Sequence, residues 1–183
     1  MPARSRFAVF AILLALLAVT RIGHFGTAVS LPDASLAVFL LGGAWLGGLR
    51  CFAAYAAVAF GIDVFLAQSA AEMGWCLTPA YGGLVTAYGV VWLLGRTLAT
   101  TPDLPLVRFS ATGLVAVLAH FVIANTSFWL GSGYFADMSA DEYASTVIKY
   151  LPPYLASTAL YMALAWIAQR VLSTGPGHRT TTG

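Results

Sequence analysis

The chain has 183 residues, 60% of them hydrophobic and only 9% charged, with a formal net charge of +2 and a mean hydropathy of +0.83. Soluble domains carry about 25% charged residues, so this composition excludes a water-covered globular surface. The net charge reports topology, through the split of basic residues between the two sides of the membrane, and not nucleic-acid binding. A hydrocarbon core about 30 Å thick takes about 20 helical residues per crossing, and a backbone inside lipid must be helical or part of a closed barrel. The apolar runs here are long and unbroken rather than alternating, which predicts an all-α integral membrane protein.

Six spans are expected, over residues 7–20, 34–49, 52–67, 79–98, 107–130 and 146–172. The first follows Arg4 and Arg6, a pattern shared with signal peptides, but no small-x-small cleavage site follows the run. Ala8, Ala11, Ala15 and Ala18 form a small-residue stripe on it, suited either to docking of another membrane protein or to ordinary packing. The first loop then carries Arg21, His24, Phe25 and Asp33. Spans two and three are short and separated only by Arg50 and Cys51, so a tight hairpin is expected. Gly42, Gly43, Gly47 and Gly48 would let its backbones meet. Asp63 lies near the far end of span three, where an ionisable residue marks either function or a structural hydrogen bond.

The second loop holds Glu72, Trp75, Cys76 and Thr78. Pro79 is expected to open the fourth helix, since proline is tolerated in a first turn, with Thr78 as its N-cap. His120 and Asn125 fall in span five, where they could line a cavity or cross-link helices. The sequon Asn125-Thr126-Ser127 lies within that span and is discounted. The third loop gathers Trp129, Tyr134, Asp137, Asp141 and Tyr143. Residues 1–172 read as one six-helix domain with no stretch left for a soluble one. Residues 173–183 read as a polar, disordered tail.

Lys and Arg placement sets the orientation. With the N- and C-termini cytoplasmic, seven of the nine basic residues face the cytoplasm: Arg4, Arg6, Arg50, Arg96, Arg108, Arg170 and Arg179. Arg21 and Lys149 remain outside, together with Asp33, Glu72, Asp137, Asp141 and Glu142. Recognition is therefore expected on the outer side.

Cys51 and Cys76 fall at opposite edges and cannot pair. Cys51 reads as a small buried hydrophobe. Cys76, just before a helix start, would feel the positive end of the helix dipole, which favours the thiolate, the form that binds soft or borderline metals. The alternative is an ordinary interfacial cysteine. His24 could serve beside it as a metal ligand or base. One Cys and one His do not make a zinc site, which wants three or four protein ligands. A metal already held in a cofactor and needing one axial ligand fits the count better.

The segments Thr20-Arg21-Ile22-Gly23-His24-Phe25-Gly26, Leu31-Pro32-Asp33-Ala34-Ser35-Leu36-Ala37-Val38-Phe39, Cys76-Leu77-Thr78-Pro79-Ala80-Tyr81 and Ala87-Tyr88-Gly89-Val90-Val91-Trp92-Leu93-Leu94-Gly95-Arg96 together resemble the small cobalamin transporters of the BtuM type. These are solitary relatives of the substrate-binding S-components of energy-coupling-factor (ECF) transporters. The match covers the N-terminal half by motif and the whole chain by length and six-helix layout.

The resemblance implies an S-component-like bundle in the bacterial inner membrane that takes up cobalamin (vitamin B12) from the periplasm. It implies Cys76 as the axial ligand to the cobalt, with His24, Phe25, Asp33, Thr78, Tyr81 and Tyr88 around the corrinoid. It makes the protein a transporter rather than an enzyme, with decyanation of cyanocobalamin as an accessory activity. The partners implied are cobalamin, membrane lipid, and either an ECF energising module or none. Nothing in the chain resembles a nucleotide-binding loop. Two other functions stay open: an S-component for another vitamin sharing an ECF module, and a membrane thiol enzyme using Cys76 and His24.

Overall fold

Each long apolar run folds as a helix, the one conformation that satisfies every backbone donor and acceptor within its own segment. A computed structural model describes residues 3–22, 31–69, 77–99 and 105–173. In chain order the helices are α1 (Ala3–Ile22), α2 (Ser35–Trp45), α3 (Leu49–Ser69), α4 (Tyr81–Arg96), α5 (Leu106–Gly131), α6 (Ala140–Val147) and α7 (Leu151–Ser173). A 3-10 turn over Ile148–Tyr150 joins the last two, and no strand occurs among the described residues. Among the described residues, three stretches are long and apolar enough to cross a membrane: Leu49–Gln68, Leu106–Gly131 and Ala140–Val171.

The helices alternate in direction. Arg6 of α1 donates from Nη2 to Leu46 O at the end of α2 (2.8 Å), and Arg108 of α5 donates from Nη2 to Thr97 O just past α4 (2.8 Å). Tyr55 of α3 donates from its hydroxyl to Phe10 O of α1 (3.1 Å). These bonds gather Arg4, Arg6, Arg50, Arg96 and Arg108 at one end of the bundle. Arg170, beyond the Met162–Gly113 crossing of α7 on α5, joins them. The opposite end holds the last turns of α1, α3 and α5 and the first turns of α2, α4 and α7.

The turn between α2 and α3 lies at Leu46–Gly48, so Arg50 and Cys51 sit inside the first turn of α3 rather than separating two helices. Gly47 takes φ +68, the left-handed conformation that glycine adopts without steric penalty, and its N–H reaches back to Gly42 O at 3.1 Å. Gly48 opens no helix contact: a Cβ there would meet nothing within 4 Å.

The close backbone approach expected between α2 and α3 occurs instead between α2 and α4. A Cβ on Gly43 would lie 3.1 Å from Trp92 Cα, and one on Gly95 would lie 2.9 Å from the Leu40 carbonyl carbon and 3.1 Å from Ala44 N. Gly42 is the exception that also faces α3, against the Tyr55 ring as well as Trp92.

These contacts make α2 the centre of the molecule. Ser35 to Gly43 are all buried, and α1, α3, α4, α5 and α7 surround them. Phe39 stacks on Tyr88 at 4.3 Å and meets Phe52, Tyr55 and Trp92 edge-on. At 11 residues, α2 rises only about 16 Å, less than the expected sixteen-residue span. Burial on every side frees it from the need to match lipid.

The third loop contains α6, a helix not anticipated from the sequence. Ser139 caps it, its Oγ accepting from Glu142 N at 3.4 Å, and Asp141 and Glu142 occupy its first turn, where acidic groups complement the dipole.

If the α2–α4 crossing is held by missing side chains, filling it must be costly. Gly95→Ala is expected to destabilise by about 1–3 kcal/mol, read as a lower thermal-unfolding midpoint in detergent. Gly61→Ala, at an exposed α3 position where a Cβ meets nothing, should be neutral or stabilising by up to about 1 kcal/mol.

Candidate functional site

The end opposite the basic residues contains a buried guanidinium. Arg21, on the last turn of α1, is 3% exposed. Its Nε donates to Asp63 Oδ1 at 2.7 Å and its Nη2 to Asp63 Oδ2 at 2.6 Å. This is the two-point fork geometry that suits arginine to carboxylates. Its Nη1 donates to Ser35 Oγ at 2.9 Å and to Tyr88 OH at 3.1 Å. Tyr81 donates from its hydroxyl to Asp63 Oδ2 at 2.9 Å. One cation thus binds α1 to α2, α3 and α4.

Asp33 completes the arrangement from the start of α2. Its Oδ1 accepts from Ser35 N at 2.9 Å and from Ser35 Oγ at 2.6 Å, closing a local turn of the kind that Asp favours. Thr20 Oγ1 accepts from Ala34 N at 3.1 Å, and Tyr161 of α7 donates from its hydroxyl to Pro32 O at 2.7 Å. The entry to α2 is therefore tied to α1 and α7 before any ligand is considered.

Beside this network lies a cavity of about 590 Å³, within the range of about 300–1,000 Å³ usual for small-molecule sites. Arg21, Asp33, Asp63 and Tyr88 border it on one side; His120 and Asn125 of α5 and Tyr154 of α7 border it on the other. The Tyr88 ring links the two sides, lying 4.8 Å from the His120 ring. Asn125 donates from Nδ2 to Phe121 O at 2.8 Å. His120 is 2% exposed, and neither ring nitrogen has a hydrogen-bond partner among the described residues. A second cavity, of about 420 Å³ between α5 and α7, is walled mostly by apolar side chains such as Leu114, Val117, Leu155 and Ile167. It offers no charged group.

Of the residues expected at the site, Asp33, Tyr81 and Tyr88 come together at this end through Arg21 and Asp63. Thr78 does not cap α4: Ala80 holds the cap position, with no side-chain hydrogen bond. The reason is that Pro79 sits in a preceding turn, in which Tyr81 N donates to Thr78 O at 2.9 Å, and the helix begins only at Tyr81. Thr78 Oγ1 is buried with no partner among the described residues. His24, Phe25 and Cys76 lie outside the described residues, as does the proposed tail beyond Ser173. No group of three or more metal-ligating side chains occurs among the described residues.

Arg21 and Asp63 were separately visible in the sequence, one as a basic residue on the acidic side and the other as a carboxylate within a span. Their pairing was not drawn from it, nor was the part of Ser35. His120 and Asn125 were named as possible cavity residues, and both border the cavity. Comparison with protein-family models finds no match, and no curated protein matches the chain.

Removing one member of a buried ion pair leaves the other charge uncompensated, at a cost of about 3–5 kcal/mol. Asp63→Ala should destabilise the detergent-solubilised protein by that order. The double variant Arg21→Met/Asp63→Leu should recover most of the loss, as read from thermal-unfolding midpoints.

Proposed function

We propose that the protein is a six-span carrier of the S-component type in the bacterial inner membrane, which receives cobalamin from outside with Cys76 as the axial ligand to cobalt. The observation that carries this reading is the cavity of about 590 Å³ at the bundle end opposite six arginines. Basic residues are retained on the cytoplasmic side, so the cavity faces outward. Its walls combine flat aromatic surface, from Tyr88, Phe121 and Tyr154, with hydrogen-bonding groups from Asn125, Ser157 and His120. A large planar macrocycle fringed with amides asks for that combination.

Leu77, the residue after Cys76 in the sequence, leads into α4 at the cavity end. Binding through cobalt needs only one protein ligand, in keeping with the lone outer cysteine. A thiolate entering the coordination sphere of cyanocobalamin would release cyanide by ligand exchange, with no change in oxidation state. The helix α2, though short for a crossing, does not argue against six spans, because it is enclosed by other helices rather than by lipid.

The cavity volume favours a second reading as well. A complete corrinoid is larger than this space and would enter it with only part of its rim, whereas a smaller vitamin carried by the same architecture would fit inside whole.

Cyanocobalamin added to the purified protein should shift the visible bands of the corrinoid, and Cys76→Ala should abolish that shift and weaken binding by about tenfold or more. An unchanged spectrum with wild-type protein would overturn the cobalamin reading. A rise in thermal midpoint with a smaller vitamin, and none with cyanocobalamin, would establish the second reading instead.

A further inference from the structure

Polar groups that line the cavity or stand behind its wall differ in how fully they are bonded. Arg21, Asp63, Ser35, Tyr81 and Asp33 are joined in one hydrogen-bonded network. His120 is different. It sits in the middle of α5, 2% exposed, between the rings of Tyr88 at 4.8 Å and Tyr154 at 6.1 Å, and neither nitrogen is bonded to another described residue. A buried polar group without a partner costs a folded protein stability. Its ring borders the cavity, so the unbonded nitrogens belong to a side chain that a ligand there would meet.

We infer that His120 is the hydrogen-bonding contact for the cargo, satisfied only when a ligand carrying carboxamide groups on its rim reaches into the cavity. An imidazole in its neutral form presents one donor and one acceptor. A primary carboxamide presents the complementary acceptor and donor, and corrinoids carry such amides around their rim. A carboxylate or ester has no N–H to offer the imidazole acceptor, so the contact selects amide-bearing ligands over their acid or ester counterparts. The Tyr88 ring, stacked on Phe39 and tilted against His120, with its hydroxyl accepting from Arg21, holds the wall beside the imidazole. This inference rests on the cavity being a corrinoid site, as proposed above.

The test compares wild type with His120→Phe, which keeps a ring and removes both nitrogens, and with His120→Gln, which keeps a donor and an acceptor. Thermal midpoints are measured without ligand. Affinities are measured for cobinamide and for the heptamethyl ester of the parent corrin acid, which keeps carbonyls but has no amide N–H.

His120→Phe should unfold at or above the wild-type midpoint, by up to about 4 °C. It should bind cobinamide about tenfold more weakly and lose most of the preference for cobinamide over the ester. His120→Gln should retain part of that preference. Equal affinity and equal preference in His120→Phe and wild type would overturn the inference while leaving the corrinoid reading intact. A ligand-free midpoint lowered by more than about 5 °C in His120→Phe would overturn it too, by assigning the ring a structural bond. Failure of the wild type to bind either corrinoid would overturn both readings together.

Discussion

A guanidinium buried at the end of a largely apolar bundle dictates much of what surrounds it. Taking Arg21 out of water costs several kcal/mol even after relaxation, and that cost is offset only if a counter-charge and enough acceptors are fixed in place. The protein supplies both carboxylate oxygens of Asp63, the Ser35 hydroxyl and the Tyr88 hydroxyl. Those acceptors come from α3, α2 and α4, so the requirement to satisfy one side chain sets the relative position of four helices. It also explains why the entry to α2 is bound so closely, with Asp33 and Thr20 each holding backbone N–H groups there.

The α2–α4 crossing is the apolar counterpart of that network. Gly43 and Gly95 allow backbone to meet backbone, and the aromatic group of Phe39, Tyr88 and Trp92 fills the space alongside. Tyr88 belongs to both systems: its ring stacks in the core while its hydroxyl accepts from Arg21. The cavity wall that Tyr88 forms is therefore held by packing from one side and by a charged hydrogen bond from the other. Preformed sites of this kind spare a ligand the cost of ordering its own pocket.

Much of the helical layout was legible because hydrophobicity over a span is a local property. The run at residues 107–130 coincides with α5, and the run at 146–172 covers nearly all of α7 but starts inside α6 and takes in the 3-10 turn. The errors arose where the decisive contact is between distant residues. Gly43 was assigned to the neighbouring α3 because small residues declare close approach but not to which partner, and its partner is Trp92, nearly fifty residues away, while Gly42 faces both Trp92 and the Tyr55 ring of α3. Thr78 looked like a cap because Pro79 so often sits in a first turn; here the proline occupies a turn before the helix. Helix α6 was missed because its signal is a Ser139–Glu142 cap on a polar segment rather than an apolar run. For the site, the anomalies were legible as anomalies: Arg21 on the acidic side and Asp63 within a span. Two opposite charges that each violate the expected placement invite pairing, and that inference was open from sequence alone. What no sequence signal carries is which buried polar residues, such as His120, lack a partner among the described residues.

That last distinction separates scaffold from binding surface. A group whose hydrogen bonds are already complete gains little from a ligand, since any new bond must displace an old one. Arg21 and Asp63, charged and bordering the cavity, look like obvious ligand contacts, yet their strongest directions are directed at each other. An unsatisfied group is in the opposite position, because each bond a ligand makes to it removes a standing cost. By this reasoning the charged residues shape and stiffen the cavity, and on the reading proposed above discrimination among ligands falls to His120, whose ring nitrogens have no partner among the described residues.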